Sequence, residues 1–180
     1  MKEVILVDVN DKILGTMEKI LAHQLGRLHR AFSVYLLNSK GEFLLQRRAK
    51  NKYHSAGLWT NTCCSHPQIN ETTTQAATRR LNEEMGITTQ IKHVHQFIYK
   101  AEFDNGLIEH ELDHIYMGIY NDAPNPDANE VMEWRYISKD DLIKELTEQP
   151  NNYTEWFKLS YQVVLKNNIA DHLLNHPLNT

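Results

Sequence analysis

The segment from Thr72 to Ile87 admits one local structure, and that structure constrains what can surround it. Thr72 and Gln75 are spaced as a capping box, Ala77, Leu81 and Met85 recur along one helical face, and Gly86 stops the run, so the spacing predicts a helix ending at Gly86. An amphipathic helix needs an apolar surface to lie on, and the flanking segments supply strands to build one. Val4 to Val9, Ala31 to Leu37, Glu42 to Arg48, Val94 to Phe103, Ile108 to Tyr120 and Val131 to Ile137 are all β-rich. Asn38-Ser39-Lys40-Gly41 and Asp104-Asn105-Gly106 are turn signals and predict hairpins. Met17 to Leu25 reads as a helix or turn, Ser138-Lys139-Asp140-Asp141 opens a helix through an S-x-x-D cap, and Thr154 to Leu174 predicts a long final helix. Strands interspersed with few helices, the helices clustered late, predict an α+β fold with a mixed sheet packed between helices.

A chain of 180 residues is expected to form a single domain over 1–180, with no internal repeat or linker. Its formal charge of -4 gives no general attraction for nucleic acid, so an anionic ligand must be held by a local basic patch. The opening apolar run is interrupted at Asp8, too soon for a secretory or membrane-spanning segment. The expectation is a cytoplasmic protein with a small-molecule partner, no nucleic acid or membrane partner, and a monomeric or weakly dimeric state. The two cysteines, Cys63 and Cys64, are neighbours, a poor fit to disulfide geometry, and read as free thiols in a reducing compartment.

Candidate chemistry concentrates in a few places. If Thr60 to His66 is extended, Cys64 and His66 project to one face and Cys63 to the other, which favours Cys64 as the reactive thiol. Glu109 and Glu111 share one face of a strand that continues as Ile115, Met117 and Ile119, as expected of carboxylates heading a pocket. His23, His29 and His66 with those two glutamates make an N/O donor set suited to a six-coordinate divalent ion, although spacing alone leaves their convergence open. Of the ten histidines, His54, His93, His95, His172 and His176 read as surface or satisfied residues. Arg47-Arg48-Ala49-Lys50-Asn51-Lys52 is either a diphosphate seat or a solvated run. Arg80 and Glu84 are spaced for an ion pair on one helical face.

Glu71, Arg79 and Glu83-Glu84-Met85-Gly86-Ile87 resemble the Nudix box, G-x5-E-x7-R-E-U-x-E-E-x-G-U, in unbroken register. Ser65 stands at the first glycine, and Arg80 replaces the glutamate around which a typical Nudix pyrophosphohydrolase clusters its metal ligands. Joined to Leu28 to Ser33, Arg47-Arg48, Trp59 to Pro67, Glu109-His110-Glu111 and Trp156, this pattern resembles the type 1 isopentenyl diphosphate isomerases over nearly the whole chain. The resemblance implies a Nudix-like α/β/α fold and interconversion of isopentenyl and dimethylallyl diphosphate through a tertiary carbocation. It implies Mn2+ or Zn2+ on His23, His29, His66, Glu109 and Glu111, and a diphosphate-bridging Mg2+ on Glu84 and the backbone carbonyl of Cys64. Arg48, Lys52 and Arg80 would contact phosphate, Cys64 and Glu111 would be the opposed acid and base with Tyr99 bonded to Glu111, and Trp156 would face the cation. A diphosphate hydrolase and a noncatalytic, metal-dependent binding module are the rival readings.

Overall fold

Strand-forming residues dominate the first two-thirds of the chain, and among the described residues they assemble into one mixed nine-stranded sheet. The computed structural model describes residues 3–52, 54–103 and 106–175. In chain order the elements are β1 (Glu3–Val7), β2 (Ile13–Glu18), α1 (Lys19–Gln24), β3 (His29–Leu37), β4 (Phe43–Arg48), β5 (Trp59–Thr60) and β6 (Cys63–Ser65). They continue as α2 (Thr73–Met85), β7 (Ile91–Glu102), β8 (Ile108–Ile119), β9 (Val131–Ile137), α3 (Lys139–Glu148), α4 (Glu155–Lys166) and α5 (Ile169–Asn175).

β3 organises the sheet. It runs parallel to β8 over its whole length, from His29 opposite Glu111 to Leu37 opposite Ile119. Its other edge is shared in turn by β1 at His29, β6 at Phe32 to Val34, and β4 at Leu36 and Leu37. Side chains alternate across a strand, so Phe32, Val34 and Leu36 face α2, packing with Ala77, Leu81 and Met85. Tyr35, Leu37, Ile115 and Met117 face the other way, into a core closed by Leu142, Trp156, Phe157 and Val164 of α3 and α4. The sheet is therefore sandwiched between helical layers, as the α+β patterning predicts.

The α2 termini form as their residues dictate. Both halves of the Thr72–Gln75 capping box are present, and Gly86 takes the left-handed conformation at φ 66°. A side chain there would meet the Asn125 carbonyl oxygen at 2.3 Å, so glycine is required by contact as well as by conformation. The Ser138 cap of α3 also forms, its side chain accepting from the Asp141 amide.

Three expectations are revised. Met17 and Glu18 belong to β2, because the Asp8 carboxylate accepts from the amides of Asn10 and Lys12 and turns the chain back along β1; α1 begins only at Lys19. The final helix is broken at Asn167 and Asn168, the latter left-handed at φ 49°, a conformation asparagine tolerates. The β3–β4 hairpin pairs only beside its turn, at Leu36 with Leu44 and Leu37 with Phe43, and then splays. Of the Asp104-Asn105-Gly106 turn, the first two residues lie outside the described residues, although β7 and β8 do pair antiparallel. No described helix is long and apolar enough to cross a membrane.

The splay between β3 and β4 is filled by side chains. Thr62 Oγ1 accepts from the Leu36 amide at 2.9 Å and donates to the Leu44 carbonyl at 2.7 Å, and Asn61 Nδ2 donates to the carbonyls of Val34 and Cys63. Thr60, Asn61 and Thr62 are fully buried, so these side chains stand in for missing ladder bonds. Thr62→Val keeps the shape and strands both backbone groups. Urea denaturation should show a loss of roughly 1–3 kcal/mol for each buried group left unpaired, and an unchanged midpoint would contradict the wedge.

Candidate active site

Strand parity puts the chemistry on one face. His29 and Ser33 of β3, Cys64 opposite Ser33, Glu111 opposite His29, and Tyr99 opposite Glu111 all project from the same side of the sheet. Of these, Ser33, Cys64, Glu111 and Tyr99 border a cavity of about 880 Å3 whose wall also includes Lys19, Arg48, Lys52, His54, Arg80, Glu84 and Trp156.

His23, brought in by α1, joins His29, His66 and Glu111 in a cluster whose ligand atoms all lie within 4.8 Å of one another. His23 Nδ1 donates to the Lys19 carbonyl at 2.6 Å and His29 Nδ1 to the Arg27 carbonyl at 2.8 Å, because a carbonyl can only accept. That leaves each Nε2 as a lone pair aimed inward. Among the described residues His23 Nε2 is buried with no hydrogen-bond partner, and His29 Nε2 sits 3.2 Å from His66 Nε2, which is itself 2.9 Å from Glu111 Oε1. Burial pushes His66 down to about 3 and lowers His23 as well, so neither ring readily takes up a proton. Three imidazoles converging beside a carboxylate, two of them oriented by backbone carbonyls, fit a divalent transition ion.

Glu109 lies next to this cluster, accepting from the Tyr99 hydroxyl at 3.3 Å, while the same hydroxyl donates to Glu111 at 2.7 Å. Burial, reinforced by the Glu111 charge, raises Glu109 well above the usual carboxylate range. Burial acts the same way on Glu111, but the adjacent His29 and His66 rings outweigh it and hold Glu111 well below that range. The neighbouring carboxyls are thereby driven apart in acidity. Burial also raises Tyr99, which keeps its proton for donation.

The two cysteines part as alternation requires. Cys63 is buried in the α2-side core, whereas Cys64 borders the cavity. Burial pushes the Cys64 thiol up, and the Arg48 charge opposes that shift. Trp156 is held by Nε1 donating to Thr60 Oγ1 at 3.0 Å, with the Arg48 guanidinium 5.0 Å from its ring centroid.

The basic run divides. Arg47 turns away to the Gly57 carbonyl and Glu133, while Arg48 and Lys52 border the cavity. Arg80 reaches Glu83, Glu84 and Glu130, and Lys52 pairs with Glu130. Glu84 is buried and accepts from Gln46 Nε2 at 3.1 Å, an amide that also donates to the Thr62 carbonyl.

His54, expected as a surface or satisfied residue, is buried beside the cavity: its side chain is 8% exposed, with Nε2 3.7 Å from Glu109. Burial and then the Arg48 charge push it down to about 3. His93 is likewise not partnerless, contacting His114 at 3.3 Å on the opposite face of the sheet, and His176 lies outside the described residues. Lys19, Gln46 and Glu130 were not foreseen, since each depends on a contact distant in sequence. Asp113 could have been found by extending the Glu109–Glu111 alternation one step; it accepts from Ser33 at 2.8 Å, and burial raises it to about 8.

The NUDIX domain family matches residues 27–157. Isopentenyl-diphosphate Delta-isomerase of Pectobacterium atrosepticum is 50% identical over 159 residues, covering 88% of this chain and 89% of the relative. The protein of the same name from Burkholderia multivorans is 46% identical over 156 residues, covering 87% and 89%. Among solved structures, a crystal structure from Deinococcus radiodurans aligns with a TM-score of 0.73 at 17% identity, covering 89% of this chain and 98% of that one. The MutT protein from Methanosarcina mazei aligns at 0.64 with 21% identity, covering 78% and 95%. These structural likenesses speak to the fold, and the sequence relatives to the family. The chain belongs to the NUDIX family and, within it, to the isopentenyl-diphosphate Delta-isomerases.

Proposed function

We propose that the chain interconverts isopentenyl diphosphate and dimethylallyl diphosphate, with the roles on its own residues as follows. The observation that carries the reading is that a thiol and a hydrogen-bonded carboxylate share one buried face beside a metal-type donor set, a combination that hydrolysis does not need.

An isolated alkene is a very weak base, so double-bond transposition needs an acid, a base and exclusion of water. Glu111, with Tyr99 bonded to it, adds a proton to the terminal methylene and leaves a tertiary cation; the donor is its protonated form, the minor one beside the His29 and His66 rings. Cys64 takes a proton from the carbon adjacent to the diphosphate-bearing one, and the remaining electron pair forms the new double bond. One proton is gained and one lost, so the product is an isomer. Each turnover shifts the proton shared by Glu111 and Cys64 from one to the other, and exchange with solvent resets the pair. The Trp156 indole face stabilises the cation, an interaction worth roughly 2 kcal/mol or more when desolvated.

His23, His29, His66, Glu109 and Glu111 would hold Mn2+ or Zn2+, and Glu84 with the Cys64 carbonyl would hold Mg2+. When bound, the first supplies positive charge that balances ionisation of the carboxyl pair, and the second supplies charge that seats the diphosphate. Arg48, Lys52 and Arg80 bind phosphate oxygens, so the unreactive end of the substrate positions a five-carbon chain that offers little else to grip. Arg80, where a hydrolase carries a metal-binding glutamate, favours holding the diphosphate over cleaving it. The reaction calls for a single small-molecule partner in the cytoplasm and for no second subunit, in keeping with a monomer or weak dimer.

Incubation with isopentenyl diphosphate and Mg2+ should yield dimethylallyl diphosphate without phosphate release, as followed by NMR; phosphate release instead would point to hydrolysis. Cys64→Ala and Glu111→Gln should each lower kcat by roughly a hundred- to ten-thousand-fold while circular dichroism stays unchanged. Near-normal turnover in either would remove that residue from the mechanism. Protein stripped with EDTA should lose activity and rebind Mn2+ or Zn2+ stoichiometrically by calorimetry. His29→Ala should abolish that binding, and binding that persists would displace the ion from the imidazole cluster.

A further inference from the structure

The cavity is far roomier than a five-carbon chain requires, so selectivity for that chain needs a wall at its buried end. Three of the groups there, Cys64, Tyr99 and Trp156, stand on β6, β7 and α4. The fourth, His54, comes from the loop between β4 and β5. That loop is pinned at its base: Arg48 donates its amide to the Leu58 carbonyl at 2.9 Å and accepts from the Gly57 amide at 3.0 Å. The Arg48 guanidinium also donates to the His54 carbonyl at 3.4 Å. The His54 ring meets Trp156 edge-on, with centroids 5.5 Å apart, and is backed on another side by Phe103 at 5.4 Å. Its Nε2 lies 3.7 Å from Glu109, which puts the ring on the side of the cavity where Tyr99 meets Glu109 and Glu111.

We propose that His54 is a specificity-determining residue: braced by Phe103 and Trp156, its ring closes the hydrocarbon end of the cavity and excludes chains with an added methylene. This rests on the isomerase reading, which supplies the substrate class. The role is one of shape, and none of the proton transfers above uses the imidazole. A rigid wall of this kind discriminates one methylene by about ten- to two-hundred-fold.

The test compares kcat/KM for isopentenyl diphosphate with that for its homologue carrying an ethyl group in place of the methyl. In His54→Ala the ratio of homologue to parent should rise by about tenfold or more, whereas His54→Leu, close in volume, should stay within about twofold of the starting protein. A folded His54→Ala with an unchanged ratio would overturn the proposal, as would His54→Leu shifting as far as His54→Ala. If thermal melting shows His54→Ala to be unfolded, His54→Trp serves instead: the added bulk should lower kcat/KM for the parent substrate by about tenfold, and no change would overturn the proposal. Failure of the unsubstituted protein to isomerise the parent contradicts the functional reading itself; turnover with an unmoved ratio contradicts only the role of His54.

Discussion

The arrangement depends on the side-chain wedge that Asn61 and Thr62 drive between β3 and β4. Those strands pair at their turn and would continue as an ordinary hairpin if Thr62 did not bridge the Leu36 amide and the Leu44 carbonyl. Opening them admits β6 against β3, which sets Cys64 beside Ser33 and brings His66 to His29 and Glu111. The same short segment fixes the rest of the cavity wall. Thr60 anchors the Trp156 indole, and the Thr62 carbonyl steadies the Gln46 amide that supports Glu84. Buried hydroxyls and amides are tolerated here because each meets a backbone group that would otherwise be unpaired.

Electrostatics divides the site into two regions. On one side Arg48, Lys52 and Arg80 border the cavity, with Arg80 and Lys52 partly neutralised by Glu84 and Glu130. On the other, burial disfavours a proton on His23 and His66, and the imidazoles beside Glu111 separate its acidity from that of Glu109. A reaction that moves protons on hydrocarbon while leaving a diphosphate intact needs both. Replacing the usual box glutamate with Arg80 turns a hydrolytic helix into a gripping one on the proposed reading.

Legibility in the sequence follows the range of the interactions. The α2 caps, the β9 strand and the Ser138 cap rest on residues a few positions apart, and their patterns predict them closely. The facing of Cys64 against Cys63 and of Glu109 with Glu111 follows from strand alternation alone. The end of β1 and the break at Asn168 were missed because an Asx turn at Asp8 and a left-handed asparagine act without changing hydrophobic periodicity. His54 was invisible for a different reason: its burial comes from Phe103 and Trp156, residues far along the chain, and nothing local distinguishes it from a solvated loop histidine.

Proton exchange between Glu111, Cys64 and solvent is the core of the account, and turnover in D2O tests it most directly. Dimethylallyl diphosphate formed from unlabelled isopentenyl diphosphate should carry deuterium in the methyl group derived from the terminal methylene, as read by NMR. Product formed at full rate without deuterium would mean that hydrogen migrates within the substrate, and the paired acid and base would have no part in the reaction.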